Sequence, residues 1–276
     1  MKLIKVDGIV VGEQNYLESS KILKVFTKDF GVISVLSKGC KKPKSDLKEG
    51  SNKLVRAIFN ISYKNDGLST LTGIDIIDNY KNIVMDYKDL SKKMYSFTII
   101  DLALQVVNQK LIEKEEIISI YEILVSSIKR IDDGLNPEII LDIVMLKFLD
   151  YLGVAPAIDS CSNCGSKDNI VTMDSKSFGF ICKDCYKDEL IVSNDSLKLI
   201  RMFYYSDLNR IKKLDLGVEY KEVHKFIEEY YEDHTGIYFN IKKKIETLKK
   251  LEGTIWHIVY TSILTYFTIL FKIILE

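Results

Sequence analysis

Proline is scarce in this sequence, three in 276 residues, and no stretch is rich in glycine and serine. A chain without flexible spacers gives its domains little freedom to separate, so they are expected to pack directly on one another. Neither sign of charge is in excess, because 39 basic residues balance 39 acidic ones. No global field therefore draws the chain toward nucleic acid, and any such affinity has to come from lysines gathered locally. There is no internal repeat. A phosphate-cradling Gly-x4-Gly-Lys-Ser/Thr loop, a Gly-x-Ser-x-Gly elbow and a His-Glu-x-x-His pair are all missing, so ATP use and hydrolysis have no residues to carry them. No enzymatic activity is expected. The three histidines, His224, His234 and His257, lie in helical or apolar surroundings and read as structural.

What is present divides into two periodicities. From Met1 to about Tyr80 the pattern is that of strands, plainest where Ala57, Phe59, Ile61 and Tyr63 alternate with Ile58, Asn60 and Ser62. Turn signals at Asp29-Phe-Gly31 and Asn65-Asp-Gly67 separate apolar runs around Lys5 to Val11, Ile22 to Thr27, Val32 to Ser37, Leu54 to Tyr63 and Leu68 to Ile77. Five short strands suit a small closed barrel, and the OB-fold is the commonest five-stranded choice. After Asp86 the period becomes helical. Phe97, Ile100, Leu104, Val107 and Leu111 predict one apolar stripe, and Ile117, Tyr121, Leu124, Ile128 and Ile131 a second. A third helix should start at the cap Asn136, with Pro137 and Glu138 in its first turn, and end at Gly153. Segments near Ser196 to Tyr205, Glu219 to Tyr231 and Ile241 to Leu251 should complete a bundle. The predicted class is α+β: an OB barrel over residues 1–80, a helical domain over 81–155 and 189–251, a cysteine-bearing insertion over 156–188, and an apolar tail over 252–276.

Four of the five cysteines form two Cys-x2-Cys pairs, Cys161/Cys164 and Cys182/Cys185, separated by 17 residues. Each pair lets one tight turn deliver two sulfurs to one ion, and the separation leaves room for a hairpin formed by Ile170-Val-Thr-Met and Phe178-Gly-Phe-Ile. With four sulfurs on zinc no position stays open for water or substrate, so one structural Zn2+ per chain is expected rather than a catalytic one. Thiols used in this way, with no secretory signal at Met1-Lys-Leu-Ile-Lys-Val, predict a reducing, cytoplasmic setting. Cys40 is left over, and no role is assigned to it.

Ser37-Lys-Gly-Cys-Lys-Lys-Pro-Lys-Ser45 carries Lys38, Lys41, Lys42 and Lys44 without an acid, directly after a predicted barrel strand. Such a run can be merely solvated, but Gly39 and Pro43 favour a shaped turn, and OB barrels commonly grip single strands with a basic groove and aromatic partners. Tyr16, Phe26, Phe59 and Tyr63 are available, although alternation places Phe59 and Tyr63 in the core. A second cluster includes Lys242, Lys243 and Lys244, for which an exposed helix face is the simpler reading.

The order of barrel, helices, paired cysteines and further helices resembles the bacterial RecO recombination mediators. Within residues 8–45, "Glu18-Ser-Ser-Lys-Ile22", "Phe26-Thr-Lys-Asp-Phe-Gly31" and "Lys38-Gly-Cys-Lys-Lys-Pro-Lys-Ser45" look like that family's amino-terminal signature. Leu149-Asp-Tyr-Leu-Gly-Val-Ala-Pro156 and Tyr230-Tyr-Glu-Asp-His-Thr-Gly236 match further, and the similarity spans about residues 1–251. The resemblance implies a DNA-binding OB-fold and a zinc motif held by Cys161, Cys164, Cys182 and Cys185. It implies that Lys38, Lys41, Lys42 and Lys44 form the basic loop that meets single- and double-stranded DNA at the nucleoid. It also implies annealing of complementary strands and, with RecR, loading of RecA onto DNA coated by the single-strand-binding protein SSB, whose C-terminal tail such proteins contact. The alternative is an RNA-binding or assembly scaffold without annealing activity.

The end departs from this pattern. From Thr254 to Phe271 no residue is formally charged, which leaves a membrane segment, a shifted reading frame or a helix packed on the bundle as alternatives. A membrane is not expected among the partners.

Overall fold

The structure, a computed structural model, describes residues 2–64, 67–86, 90–109, 113–212 and 216–237. Five strands open the chain: β1 (Lys2–Tyr16), β2 (Ser20–Thr27), β3 (Gly31–Ser37), β4 (Arg56–Tyr63) and β5 (Ser69–Asp78). They join in a closed ring in the order β1-β2-β3-β5-β4, with β4 returning antiparallel to β1. Closure rests on a short parallel contact, Val35 with Ser69 and Leu36 with Thr70. This is the expected five-stranded barrel, and its interior is filled by Val6, Val10, Leu23, Val25, Val35, Ala57, Phe59, Ile61 and Leu71. Ala57, Phe59 and Ile61 alternate inward as the sequence predicts, each contributing on the order of 1–3 kcal/mol of burial.

β1 is far longer than the predicted Lys5 to Val11. A bulge between Val10 and Gly12 re-aims its second half, which continues as a hairpin with β2. That hairpin turns at Leu17, whose φ of 52° lies in the left-handed region that a leucine seldom adopts.

Helices follow: α1 (Lys81–Val84), α2 (Ser91–Gln109), α3 (Lys114–Asp132), α4 (Pro137–Leu152), α5 (Asn194–Tyr205) and α6 (Val218–His234). α4 begins and ends as predicted: Asn136 accepts from the Glu138 N–H, Pro137 opens the helix, and Gly153 closes it at φ 73°. It is the central helix, buried continuously from Ile139 to Leu146 and again at Phe148 and Leu149. In α2 the predicted stripe is displaced. Tyr95, Ile99, Ile100, Leu102, Ala103 and Val106 are buried, whereas Phe97, Leu104 and Val107 are only half-buried because α2 lies against both α3 and α4 and its apolar arc is wide. The Lys53 ammonium sits 4.2 Å over the Phe97 ring. Between α4 and α5 lies the hairpin β6 (Ile170–Asp174) and β7 (Gly179–Cys182). No helix among the described residues is long and apolar enough to cross a membrane. The apolar segment 254–271, Leu111, the helix expected over Ile241 to Leu251, and Lys242, Lys243 and Lys244 lie outside the described residues.

Barrel and helices are joined by a polar junction. Arg56 on β4 makes two hydrogen bonds to the Asp7 carboxylate on β1, at 3.1 and 2.7 Å, and Tyr121 on α3 donates to the same carboxylate at 2.6 Å. Phe26 of β2 meets the Tyr121 ring edge-on at 5.8 Å, and Lys28 reaches Glu122 at 2.7 Å. Phe26 is therefore a packing residue and not a free stacking surface.

Candidate metal centre and nucleic-acid interface

The four paired cysteines converge. Two turns form their knuckles: the Gly165 N–H donates to the Cys161 carbonyl at 2.8 Å, with Gly165 at φ 76°, and the Cys185 and Tyr186 N–H groups reach the Cys182 carbonyl at 3.1 and 2.9 Å. β6 and β7 carry the second knuckle back onto the first, so that all four Sγ atoms lie within 4.8 Å of one another. Cys164 and Cys182 approach to 3.6 Å, and no disulfide forms. A regular tetrahedron with arms of about 2.3 Å, the zinc–thiolate distance, has edges of about 3.8 Å, so the donor set fits such an ion. Burial opposes ionisation of Cys161, but N–H groups of Cys182, Cys164 and Asn163 outweigh it and lower its pKa to about 6. Contact with Cys164, then burial, pushes Cys185 up to about 12. Four thiols this close do not all ionise on their own, and a divalent cation is the partner that lets them.

The module is seated rather than free. The Ala157 N–H donates to Phe178 and the Phe180 N–H to Ala157, both at 2.8 Å. At Gly179, φ 131°, a Cβ would stand 2.4 Å from the Ala157 oxygen, so only glycine allows this approach. From α6, His234 Nε2 meets the Ser175 carbonyl at 2.7 Å and its ring stacks 4.2 Å from Phe178, while the Ser175 hydroxyl donates to Asp233 at 2.7 Å. His234 thus helps seat the hairpin on α6.

Lys38, Lys41, Lys42 and Lys44 are all exposed in the segment between β3 and β4, and none forms an ion pair among the described residues. The loop is pinned along its length. The Gly39 N–H donates to the Ser20 hydroxyl at 3.1 Å, and the Lys41 N–H to the Ser19 carbonyl at 2.9 Å. Further on, the Ser37 and Ser51 hydroxyls meet at 2.7 Å, and the Lys21 ammonium bonds the Ser51 carbonyl at 3.2 Å and Asn52 at 3.1 Å. Cys40, within the basic segment, is 2% exposed and behaves as a small buried apolar side chain. Of the aromatic candidates, Phe59 is core, Tyr63 packs 5.3 Å from Phe30, and Tyr16 remains exposed.

A buried polar cluster was not foreseen. Asp142, 0% exposed, accepts from Tyr220 at 2.9 Å and pairs with His224 Nδ1 at 2.8 Å, and His224 Nε2 lies 3.3 Å from Glu228 and 3.8 Å from Glu138. Burial works against a charged His224, yet Asp142 and then Glu228 outweigh it and raise its pKa to about 10. The available signal was one acid inside the apolar run Ile139 to Leu149.

A five-stranded barrel with a pinned basic loop, followed by helices that carry an inserted four-cysteine cluster able to hold a metal ion, defines the class as α+β. Residues 1–80 match the family profile described as Recombination protein O N terminal, and residues 89–243 the one described as Recombination protein O C terminal. The chain belongs to the RecO family. Similar proteins include the DNA repair protein RecO of Bacillus pumilus and that of Bacillus subtilis, each 31% identical over 258 residues that cover 91% of this chain and 98% of the relative. That of Listeria innocua is 30% identical over 253 residues, 90% and 96% of the two chains. Membership of this family supports a role in DNA repair.

Proposed function

We propose that the protein is a non-catalytic repair mediator that binds single- and double-stranded DNA through phosphates, anneals complementary single strands and, with RecR, helps load RecA onto SSB-coated DNA. The observation that carries this reading is the basic loop: four ammonium groups without an ion pair among the described residues, on a backbone fixed to the barrel, in a chain of no net charge. Lysines held in this way meet successive phosphates without sequence preference, which is what an annealing factor requires of both strands. The work is expected in the cytoplasm, at the nucleoid. Zinc, when bound by Cys161, Cys164, Cys182 and Cys185, supplies rigidity, since four sulfurs fill its coordination sphere. His224 and Asp142 are paired inside the bundle and serve its packing, not a reaction.

Annealing of complementary strands coated with single-strand-binding protein tests the proposal. The chain should accelerate it, and Lys41→Ala with Lys42→Ala should slow it. Annealing that is no faster with the protein than without it favours the assembly-scaffold reading.

A further inference from the structure

The barrel presents a second feature beside the lysine loop. In the β1–β2 hairpin Gly12 lies opposite Lys24, Gln14 opposite Ile22, and Tyr16 opposite Ser20. Across β2, Lys24 faces Ser34 and Ile22 faces Leu36. Directly opposed residues of antiparallel strands share a face, so Gln14, Tyr16, Ile22, Lys24, Ser34 and Leu36 line one side of the sheet. It is the outer side, because the intervening Leu23, Val25 and Val35 fill the core. Phe26 is buried against Tyr121, whereas Tyr16 is 40% exposed among the described residues, and Leu17 beside it is 77% exposed.

The loop begins at the end of this face. Ser20, the cross-strand partner of Tyr16, accepts the Gly39 N–H, so Tyr16 is one cross-strand position away from the residue that anchors the start of the Lys38 to Lys44 run. Lys24 lies farther along the same face, with its methylene stem over Gly12, 3.5–3.8 Å from where a Cβ would stand there, and it makes no ion pair among the described residues. The result is an aromatic ring between two sources of positive charge, on the β2–β3 surface and first hairpin that OB barrels use for oligonucleotides.

We infer that Tyr16 is a base-stacking platform for single-stranded DNA, with the loop lysines and Lys24 holding the phosphates on either side of the stacked nucleotide. This deepens the proposed function and rests on it. The π-face accepts any base, so the contact adds affinity for a single strand without reading sequence. A duplex, with its bases already stacked on one another, gains nothing from it. Stacking also releases no counterions, so it is separable from the lysines by salt.

The experiment measures binding of a labelled oligothymidine and of a hairpin duplex between 50 and 200 mM salt, for the full chain, Tyr16→Ala, Tyr16→Phe and the Lys41→Ala/Lys42→Ala pair. Tyr16→Ala should weaken single-strand binding by between about 5- and 150-fold, with the salt slope and duplex affinity unchanged, and Tyr16→Phe should restore it. Wild-type-like binding by Tyr16→Ala, or equal losses on both DNA forms, overturns the platform. As a check that needs no variant, an oligonucleotide carrying 2-aminopurine should lose fluorescence when bound by the unaltered chain, and unchanged emission overturns the platform as well. The lysine pair reports on the parent reading. A flattened slope with unaffected Tyr16→Ala removes the platform alone, whereas an unaltered slope with unaffected Tyr16→Ala removes both.

Discussion

The Tyr121 hydroxyl donates to Asp7 at 2.6 Å, and through that contact helix α3 is fastened to strand β1, 114 residues away in sequence. Burial alone would raise the pKa of Asp7, but Arg56 and then Tyr121 outweigh it and hold it below the ordinary value of 3.8. A depressed folded-state pKa contributes stability that is present above about pH 4 and lost as pH falls below it. Tyr121→Phe should cost about 1–3 kcal/mol in urea unfolding at pH 7, and the difference from wild type should shrink below pH 4. Asp7→Ala should cost more, since it strands both Arg56 and Tyr121.

The pair formed by His224 and Asp142 has the opposite pH dependence. A histidine raised in the folded state from 6.5 to about 10 adds stability that is complete below pH 6.5 and is lost as pH rises through 10. Burial keeps the Asp142 pKa raised even beside His224, so His224→Gln should leave a carboxyl that takes up a proton, at a cost of about 1–3 kcal/mol at pH 6 for the lost charged hydrogen bond. Thermal unfolding at pH 6, 8 and 10 should show the gap to wild type narrowing as pH rises.

Metal analysis should find about one zinc per chain, and Cys161→Ser with Cys164→Ser should abolish it. Hydrogen exchange in the double variant should quicken across residues 156–188 while β1 to β5 keep their protection, since the barrel core contains no part of the module. Zinc retained by the double variant would contradict the assignment.

For single-stranded DNA, each lysine–phosphate contact adds about 0.7 to the log–log salt slope. Lys41→Ala with Lys42→Ala should therefore reduce that slope by about 1.4. If about six lysines take part, affinity should fall by about two and a half orders of magnitude from 50 to 200 mM salt. Titration by fluorescence anisotropy measures both quantities.

Much of this organisation is legible where one local rule dominates. The alternation of Ala57, Phe59 and Ile61 reads directly because one face of β4 is core and the other is not. Both ends of α4 read from Asn136, Pro137 and Gly153, whose roles are local. The cysteine spacing gives the convergence of the four sulfurs for the same reason. The misses come from tertiary context. The hairpin at Leu17 carries no glycine or proline at its turn, so nothing in the sequence marks it, and β1 reads short. The displaced face of α2 reflects two neighbouring helices sharing it, and the partnership of His224 with Asp142 spans 82 residues that no periodicity connects. Among the aromatic candidates of the barrel, the sequence could not separate Tyr16 from Phe26, because the burial of Phe26 comes from Tyr121 on α3.

The way Ser19, Ser20 and Lys21 tie down the loop from Gly39 to Asn52 bears on kinetics as well as affinity. A positively charged segment that is already shaped before encounter has no ordering step of its own, so capture of a strand should be limited by collision and by rearrangement of the DNA. Under the mediator role proposed above, rising ionic strength should still loosen the grip, because each lysine–phosphate contact is counted in released counterions.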